Sequence, residues 1–395
     1  MSVALLAAGV LTMFLRPRGM PLWAGPLASA AAGVAGGAIS LDAPRDALDA
    51  LRDPLAFLAL AVPLAILLDH LGVFAALAGR SDHGEHLLLW LWLLGIGVVI
   101  VFNLDAAVVL LTPLYIRIAQ RHGIDPIVLA FQPALLACLA SHPLPVSNLT
   151  NLVAAERLDL DVTGFLVHLG PMTVVACTVG WFGYDRWVLR HATRNAPAHD
   201  LPGAPVAPAG DDARALRLGL PIIGFVLVGF TVGNALGVPA WIVAAIAALW
   251  AMALVREVPW RTIPIGAILV AAALAVLVAG ALPHLHVDRL LDADGMPGRL
   301  RAFGFGALGS DATNNLPTIL AGSASLHEPS QVWALLAGTN LAPILVISGS
   351  LSGLLWRDTA RRFGVHITAR HYTEVGLRVG LLAVVLGGLT AVLLG

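Results

Sequence analysis

The chain has 395 residues, 58% of them hydrophobic and only 12% charged, and its formal net charge is −1. Soluble globular chains carry about 25% charged residues, so the composition excludes an ordinary soluble protein and predicts an all-α polytopic membrane protein. The balanced charge gives no sign of a nucleic-acid partner. The only cysteines, Cys138 and Cys177, are too few for a disulfide framework or a cysteine-rich metal site.

Apolar runs and one short polar cluster define the first half, residues 1–190. The run Ser2–Leu15 has no basic residue before it, which predicts a retained helix rather than a cleaved signal. After two further runs, the polar residues 102–105 separate apolar legs at 87–101 and 106–118. A spanning helix needs about 20 apolar residues, so these shorter legs predict a re-entrant hairpin near residues 87–118. Its polar tip would lie inside protein or beside a cavity.

A broken helix is predicted next, near residues 141–151. Pro143 and Pro145 lie there among hydroxyl and amide side chains, and proline removes a backbone donor and frees carbonyls. Half-helix ends at such a break can face a polar solute or an ion. After one more span, residues 191–213 contain four prolines, which predicts a linker between two halves.

The second half, residues 214–395, repeats this order of elements. Three apolar runs precede a predicted hairpin near residues 300–326, with its polar tip at 310–317, and a second broken helix near 338–353. Each half then has an odd number of spans, so the second half must be inverted relative to the first. The sequence therefore predicts about 10 transmembrane helices plus two re-entrant hairpins in two inverted repeats, the pattern of a transporter.

Arginines near the ends of the predicted spans set the expected orientation. If the linker is cytoplasmic, most arginines fall inside, as the positive-inside rule requires. The exceptions, which fall outside, are Arg45, Arg52, Arg157, Arg289, Arg299 and Arg301. We therefore expect both termini outside, with the first hairpin entering from the cytoplasm and the second from the outer side.

Five segments in chain order resemble motifs of the bacterial arsenite/antimonite efflux permeases. Residues 102–113, FNLDAAVVLLTP, are similar to the family's FNNDGAALILTP, and residues 146–152, VSNLTNL, to its VSNLVNI. Residues 314–320, NNLPTIL, resemble NNxPTVL, residues 349–356, GSLSGLLW, resemble GSLATLLW, and residues 67–74, LLDHLGVF, resemble LLDEAGFF. The resemblance implies an elevator-type carrier of the ion transporter superfamily, an antiporter of the bacterial cytoplasmic membrane that exports arsenite or antimonite and confers arsenic resistance.

At four positions this chain differs from the pattern of the family that it resembles. Leu104 stands where the family often has a second asparagine, and Cys138 where it has an aspartate. Asp311 replaces a residue that is commonly neutral, and Ile344, after Ala342 and Pro343, stands where the family usually has polar residues. These departures imply that the ion pathway or the solute differs from that of the family.

Neutral arsenite, As(OH)₃, offers only hydroxyl groups, which suits a cage of amides and hydroxyls. Side chains of these types, with one carboxylate, gather at the predicted tips and breaks. The candidate solute-binding residues are Asn103, Asp105, Ser147, Asn148, Thr150, Asn151, Asn314, Asn315, Thr318, Ser350 and Ser352.

Ionisable residues in apolar runs are the candidates for proton or ion coupling, because a charge at membrane depth is costly. Asp105 is the first choice, since it lies at a hairpin tip and matches a family aspartate; Asp69, Asp311 and His142 follow. The simpler alternatives are a helix-end residue for Asp69 and a structural cap for the two hairpin acids. Carbonyls at the tips could equally hold Na⁺, as in carboxylate carriers of the superfamily.

Other functions remain open at this point. A sodium- or proton-coupled carrier of a carboxylate or another anion, or a Na⁺/H⁺ antiporter, is the main alternative, although no arginine lies deep in an apolar run to bind an anion. An intramembrane enzyme is a remote alternative, because protease and metalloenzyme motifs are missing from the sequence. We expect no cofactor and no metal. With no Walker-type nucleotide loop, the chain would use an ion gradient or a separate ATPase subunit, and it could form a homodimer.

Overall fold

A computed structural model describes residues 1–40, 42–79, 86–186, 212–326 and 328–395. These residues form helices joined by turns, with no strand among them. The helices up to residue 186 are α1 (Ser2–Leu15), α2 (Ala24–Ala35), α3 (Asp42–Asp49), α4 (Arg52–His70), α5 (Val73–Gly79), α6 (Leu87–Phe102), α7 (Leu104–Arg121), α8 (Pro126–Leu139), α9 (Leu149–Leu158) and α10 (Val162–Tyr184). Those from residue 212 are α11 (Asp212–Ala235), α12 (Ala240–Val255), α13 (Ile265–Ala281), α14 (Val287–Leu291), α15 (Gly295–Thr313), α16 (Asn315–Ser323), α17 (Ser330–Leu341), α18 (Leu351–Arg362) and α19 (Ala369–Leu394).

Five stretches of the described helices are long and apolar enough to cross a bilayer, where about 20 residues are needed. They are Arg52–His70, Val162–Tyr184, Asp212–Gly233, Ile265–His284 and Ala369–Leu394. Shorter apolar helices accompany them, namely α1, α2, α6, α8 and α12. The prediction of an all-α polytopic membrane protein is confirmed.

One order of elements occurs twice in the fold. Helices α6 and α7 form a hairpin, α8 and α9 are two parts of an interrupted helix, and α10 is long. The same order returns as the α15–α16 hairpin, the interrupted pair α17 and α18, and the long α19. A 3₁₀ turn at Pro145–Ser147 fills the first interruption, and turns at Ala342–Ile344 and Ile347–Gly349 fill the second.

Two predicted boundaries differ from the structure. The second hairpin starts earlier than residue 300, because its first leg is the whole of α15, Gly295–Thr313. Most of the predicted linker lies outside the described residues, and its last residues, Asp212 and Ala213, already belong to α11. The linker prediction was therefore too long at its C-terminal end.

Close backbone contact between α15 and α17 fixes the second hairpin. A Cβ at Gly306 would lie 2.5 Å from the Leu335 carbonyl oxygen, and one at Gly338 would lie 2.1 Å from the Phe303 carbonyl oxygen. Real side chains do not fit at such distances, so glycine is required at both contacts. Small residues at helix crossings allow this approach inside membrane proteins. These contacts fix the position of α17, including its C-terminal residues, relative to α15.

Candidate functional site

The turn of the first hairpin is a single buried residue, Asn103, between α6 and α7. Its backbone has φ 78° and ψ 148°, a region that is strained for residues other than glycine. The Oδ1 atom accepts a hydrogen bond from the Asp105 amide at 2.9 Å, and Nδ2 donates one to the Val146 carbonyl at 3.3 Å. The hairpin tip is thereby attached to the break between α8 and α9.

The turn of the second hairpin, at Asn314, has the same construction. Its φ is 133° and its ψ is 154°. The Oδ1 atom accepts from the Leu316 amide at 3.3 Å, and Nδ2 donates to the Ser348 carbonyl at 3.2 Å. Each half therefore ties its hairpin to its own interrupted helix through one asparagine, whose amide is occupied by backbone groups.

Polar side chains also cap the half-helices that follow the interruptions. Asn148 precedes α9 and accepts a hydrogen bond from the Thr150 amide at 3.2 Å. Ser350 precedes α18, and its Oγ accepts from the Gly353 amide at 3.1 Å while pairing with the Ser352 hydroxyl at 2.9 Å. Such caps satisfy only part of the free N–H groups in a first turn.

A small cavity lies where α7, α9, α16 and α18 all begin. Its volume is about 20 Å³, which is room for about one water molecule. Only Val270, from α13, is contributed by another helix. The lining residues are Leu104, Asp105, Asn148, Leu149, Thr150, Val270, Asn314, Asn315, Leu316, Leu351 and Ser352. Because the N-terminal end of a helix carries partial positive charge, the four first turns together favour electron-rich groups in this cavity.

Asp105 brings a carboxylate to the same cavity from the first turn of α7. It is buried, with 6% of its surface exposed. Within the described residues its carboxylate makes neither a hydrogen bond nor an ion pair with a side chain. An acidic group at a helix N-terminus is electrostatically favoured, and its unpaired state leaves it free to bind a proton, a cation or a solute.

Some of the predicted site residues line the cavity, and others lie outside its lining. Asp105, Asn148, Thr150, Asn314, Asn315 and Ser352 line it. The remaining candidates support the backbone around it. The Ser147 hydroxyl donates to the Ile100 carbonyl at 3.1 Å, and the Thr318 hydroxyl donates to the Asn314 carbonyl at 2.9 Å. Asn151 donates to carbonyls of the first break, and Asn103 and Ser350 act as described above.

Three predicted coupling residues lie away from the cavity lining. Asp69 is half-buried at the C-terminal end of α4, within electrostatic range of Arg117. Asp311 packs behind the second break, where a Cβ on Gly349 would meet its Oδ1 at 2.9 Å. His142 is fully buried in the first break, and its ring nitrogens make no well-formed hydrogen bond to any described residue. Only Asp105 combines a carboxylate with direct access to the cavity.

The two cysteine thiols contribute nothing to this lining. Cys138 lies on α8 and Cys177 on α10; both are free and buried, and Cys177 donates to the Leu139 carbonyl at 3.4 Å. In the described parts of the chain, no three His, Cys, Asp or Glu residues are grouped as a metal site would need. The cavity is therefore built from amides, hydroxyls, one carboxylate and apolar groups.

Two residues of the site escaped sequence reasoning. Asn340, on α17, hydrogen bonds to Thr150 and Asn151; its place in a polar interruption was a signal, but nothing in the sequence indicated its partners. Val270 lies within α13, Ile265–Ala281, a helix without polar side chains. The sequence contains no signal that could single out such a residue.

A wider cavity of about 240 Å³ lies beside the first break. Pro145 and Val146 contribute to its wall, and its acidic residues are Asp53, Glu156 and Asp159. Burial, together with the charges of Asp53 and Asp159, raises the pKa of the Glu156 carboxyl above its usual value. The Pro145–Ser147 turn thus contacts this cavity on one side and, through Asn103, the hairpin that lines the small cavity.

Comparison with solved structures places the fold among transporters. The chain matches the crystal structure of the Alcanivorax borkumensis YdaH transporter, described as having an unusual topology, with a TM-score of 0.60. The match covers 86% of this chain and 84% of the other, at 16% sequence identity. At that identity, the likeness concerns the fold alone.

Comparison with protein families gives closer relatives. The profile of the citrate transporter family, CitMHS, matches residues 1–349. The arsenical pump membrane protein of Yersinia enterocolitica is 30% identical over an alignment of 409 positions, gaps included, which covers 93% of each chain. The protein of the same name from Escherichia coli K12 is 29% identical and covers 82% of this chain and 81% of its own. The chain therefore belongs to the CitMHS citrate transporter family and, by its relatives, to the family of the arsenical pump membrane proteins.

Proposed function

We propose that this membrane transporter exports arsenite and antimonite from the cytoplasm in exchange for protons. The observation that carries the proposal is the small cavity, in which four helix N-termini, several amides and hydroxyls, and the Asp105 carboxylate meet. The name of the relatives, arsenical pump membrane protein, supports the choice of solute.

Neutral As(OH)₃ can both donate and accept hydrogen bonds, so it needs no counter-charge. Free N–H groups of the helix first turns can donate to its oxygens, and the side chains of Asn315 and Ser352 offer further polar contacts. The lining contains no lysine or arginine that would favour a fully charged anion. We therefore favour a neutral hydroxylated solute.

Exchange with protons would follow from the position of Asp105. If the carboxylate takes up a proton when solute leaves and releases it when solute binds, the two species move in opposite directions. A carrier that crosses the membrane only when it is loaded enforces this exchange. In this proposal the two repeated sets of elements are inverted repeats, the hairpins are re-entrant, and the movement is of the elevator type.

Uptake of As(III) into everted membrane vesicles tests the proposal. An imposed pH gradient, acidic inside, should drive uptake well above that of vesicles without the protein, and collapse of the gradient should remove the excess. Thr390→Val is a suitable control variant, because Thr390 lies on α19 and bonds only to the Leu386 carbonyl of its own helix. Absence of gradient-driven As(III) uptake, with the protein present in the membrane, would reject the proposal.

An anion carrier is the second candidate, and the CitMHS match together with the four helix N-termini favours it, since helix N-termini bind anions. The same vesicles distinguish the two functions. Uptake of labelled citrate driven by a sodium or proton gradient, without As(III) uptake, would replace arsenite export by carboxylate transport.

A further inference from the structure

We propose that Asn340 determines which solutes the small cavity accepts, because it fixes the hydroxyl of Thr150, a residue of the cavity lining, as a hydrogen-bond acceptor. Asn340 lies at the C-terminal end of α17, in the second half, and is buried. Thr150 lies in the first turn of α9, in the first half, and lines the cavity. The inference rests on the proposed transport function, which puts the solute in this cavity.

The orientation of the network follows from backbone carbonyls, which can only accept hydrogen bonds. Asn151 points one end of its amide at the carbonyls of Ser141 and Leu144, each at 3.0 Å. That end must be the NH₂ group, since an amide oxygen there would face two other acceptors. The Oδ1 atom of Asn151 consequently points at Asn340.

The direction of every further hydrogen bond is then determined. Because Asn151 presents an oxygen, Asn340 must donate to it from Nδ2, over 2.7 Å. The Oδ1 atom of Asn340 is left facing the Thr150 hydroxyl at 2.6 Å. A hydroxyl has a single proton, so Thr150 donates it to Asn340, and its oxygen can only accept any further hydrogen bond.

A Thr150 oxygen that can only accept selects solutes that donate. As(OH)₃ has three O–H groups and can satisfy it, whereas a fully deprotonated oxyanion has no proton to donate and would place an oxygen against an oxygen. Leaving a buried acceptor unpaired is unfavourable, so such an oxyanion should bind less well than As(OH)₃. Asn340 therefore acts as a positioning residue, which affects solute choice without contacting the cavity itself.

The support for Asn340 is rigid and comes from the second half. Helix α17 is held against α15 by the backbone contacts at Gly306 and Gly338. At its other end, away from the cavity lining, the buried Gln331 donates from Nε2 to the Ala293 carbonyl at 2.6 Å. The first turn of α9 is thus aligned against an element of the other half.

Kinetics of As(III) uptake in everted vesicles test this role. Asn340→Ala frees the Thr150 hydroxyl to rotate, so its oxygen is no longer held as an acceptor, and the weakened contact with the solute should raise KM for As(III) by up to about tenfold, with a smaller change in the maximal rate. Sulfate, which only accepts hydrogen bonds, should then inhibit uptake at a lower concentration than in the wild type. Gln331→Ala is the matched control, because it removes a buried amide from the same helix far from the cavity; its KM should stay at the wild-type value.

A substitution series at Thr150 keeps the test decisive if Asn340→Ala does not reach the membrane. Thr150→Val removes the hydroxyl and should raise KM as Asn340→Ala does, whereas Thr150→Ser, which keeps the hydroxyl, should raise it less than Thr150→Val. The double variant of Asn340→Ala with Thr150→Val should be no worse than the worse single variant. A wild-type KM in Thr150→Val or in Asn340→Ala, or an equal rise in Gln331→Ala, overturns the inference.

A second measurement separates the inference from the transport proposal. The melting temperatures of the detergent-solubilised single and double variants at Asn340 and Thr150 form a double-mutant cycle that requires no solute. Non-additive shifts with no As(III) transport would reject the function and retain the hydrogen bond. Additive shifts would reject the hydrogen-bond network, whatever the solute.

Discussion

At the scale of single residues, Asn103 and Asn314 combine a strained backbone conformation with two side-chain hydrogen bonds. Both have positive φ with extended ψ, and conformations of this kind cost of the order of 1–3 kcal/mol for residues with a side chain. Glycine would avoid the strain but could not bridge the hairpin to the interrupted helix. The side-chain amide of asparagine accepts a hydrogen bond from a backbone N–H of the following helix and donates one to a carbonyl of the break. These two hydrogen bonds offset the backbone strain.

Substitutions at Asn314 should separate these two contributions. Asn314→Ala keeps the strain and loses both hydrogen bonds, so we expect it to lower the stability by about 2–3 kcal/mol. Asn314→Gly loses the hydrogen bonds but relieves the strain, and should be less destabilising. Melting temperatures in detergent measure both. Asn148→Ala is the comparison, since Asn148 has an ordinary φ of −148°; it loses a cap, worth about 1 kcal/mol, and a long hydrogen bond from Nδ2 to the Ser141 hydroxyl at 3.4 Å, without any change in strain. Equal effects of alanine and glycine at Asn314 would show that strain plays no part.

Asp105 is the carboxylate whose charge should matter for coupling. Asp105→Asn imitates the protonated side chain, so we expect it to abolish pH-gradient-driven As(III) uptake into everted vesicles while retaining exchange of labelled for unlabelled solute. Asp311→Asn is the matched control, because Asp311 is an acid on the other hairpin that does not line the cavity. Gradient-driven uptake by Asp105→Asn at the wild-type rate would remove Asp105 from the mechanism, and loss in Asp311→Asn alone would transfer the role to Asp311.

The sequence predicts the polar part of the site better than the apolar part. Asn148 and Asn315 stand out because a polar side chain in an apolar run needs a partner, and both line the cavity. The same reasoning cannot tell lining from support, since Asn151 and Thr318 have equally polar neighbourhoods but bond to backbone carbonyls. Which role a residue takes depends on its direction from the helix axis, and that is set by tertiary packing.

At the scale of elements, each of the four helices at the cavity brings an apolar residue next to a polar cap. Leu104, Leu149 and Leu351 are the first residues of their helices, and Leu316 is the second of α16. Together with Val270 they cover the polar groups and leave a cavity of only about 20 Å³. As(OH)₃ is larger than one water molecule, so the lining residues must separate before the cavity can hold it.

Val270 should control entry, because α13 packs against α1, α2 and α3 rather than belonging to a hairpin or half-helix. Val270→Phe adds volume where there is none, and we expect it to reduce As(III) uptake by at least about tenfold, since overpacking a filled site costs about 1–3 kcal/mol. Val270→Ala should retain uptake and favour antimonite relative to the wild type. Ile265→Phe, at an exposed position of the same helix, serves as the control and should transport normally. Normal uptake by Val270→Phe would contradict a closing role for α13.

The second hairpin shows why element boundaries were harder to predict than element types. Its first leg, Gly295–Thr313, contains Gly304, Gly306 and Gly309, and Arg299 and Arg301 lie near its start, so its local hydropathy is low. Two of these glycines allow close packing, Gly306 against α17 and Gly309 against the Thr318 side chain. Hydropathy measures transfer to lipid, and it underestimates a helix whose small residues face protein.

At the scale of the whole molecule, the repeated order of elements explains how one cavity receives two hairpin tips and two half-helices. Each half supplies a hairpin turn closed by asparagine and a half-helix capped by a polar side chain. If the halves are inverted repeats, as proposed, corresponding elements approach the cavity from opposite sides of the membrane. Four helix N-termini can then meet at mid-membrane without any of them crossing it there.

The orientation of the molecule in the membrane can be tested directly. The distribution of arginines predicts that both termini lie outside and that residues 191–213 lie inside. In a background with Cys138→Ser and Cys177→Ser, both of which are buried and away from the cavity, we expect transport to persist. Within that background, Gly395→Cys should react with a membrane-impermeant thiol reagent added to intact cells, and Ala207→Cys should react only after the membrane is opened. The reverse pattern would invert the proposed topology, and it would make the first hairpin enter from the outer side.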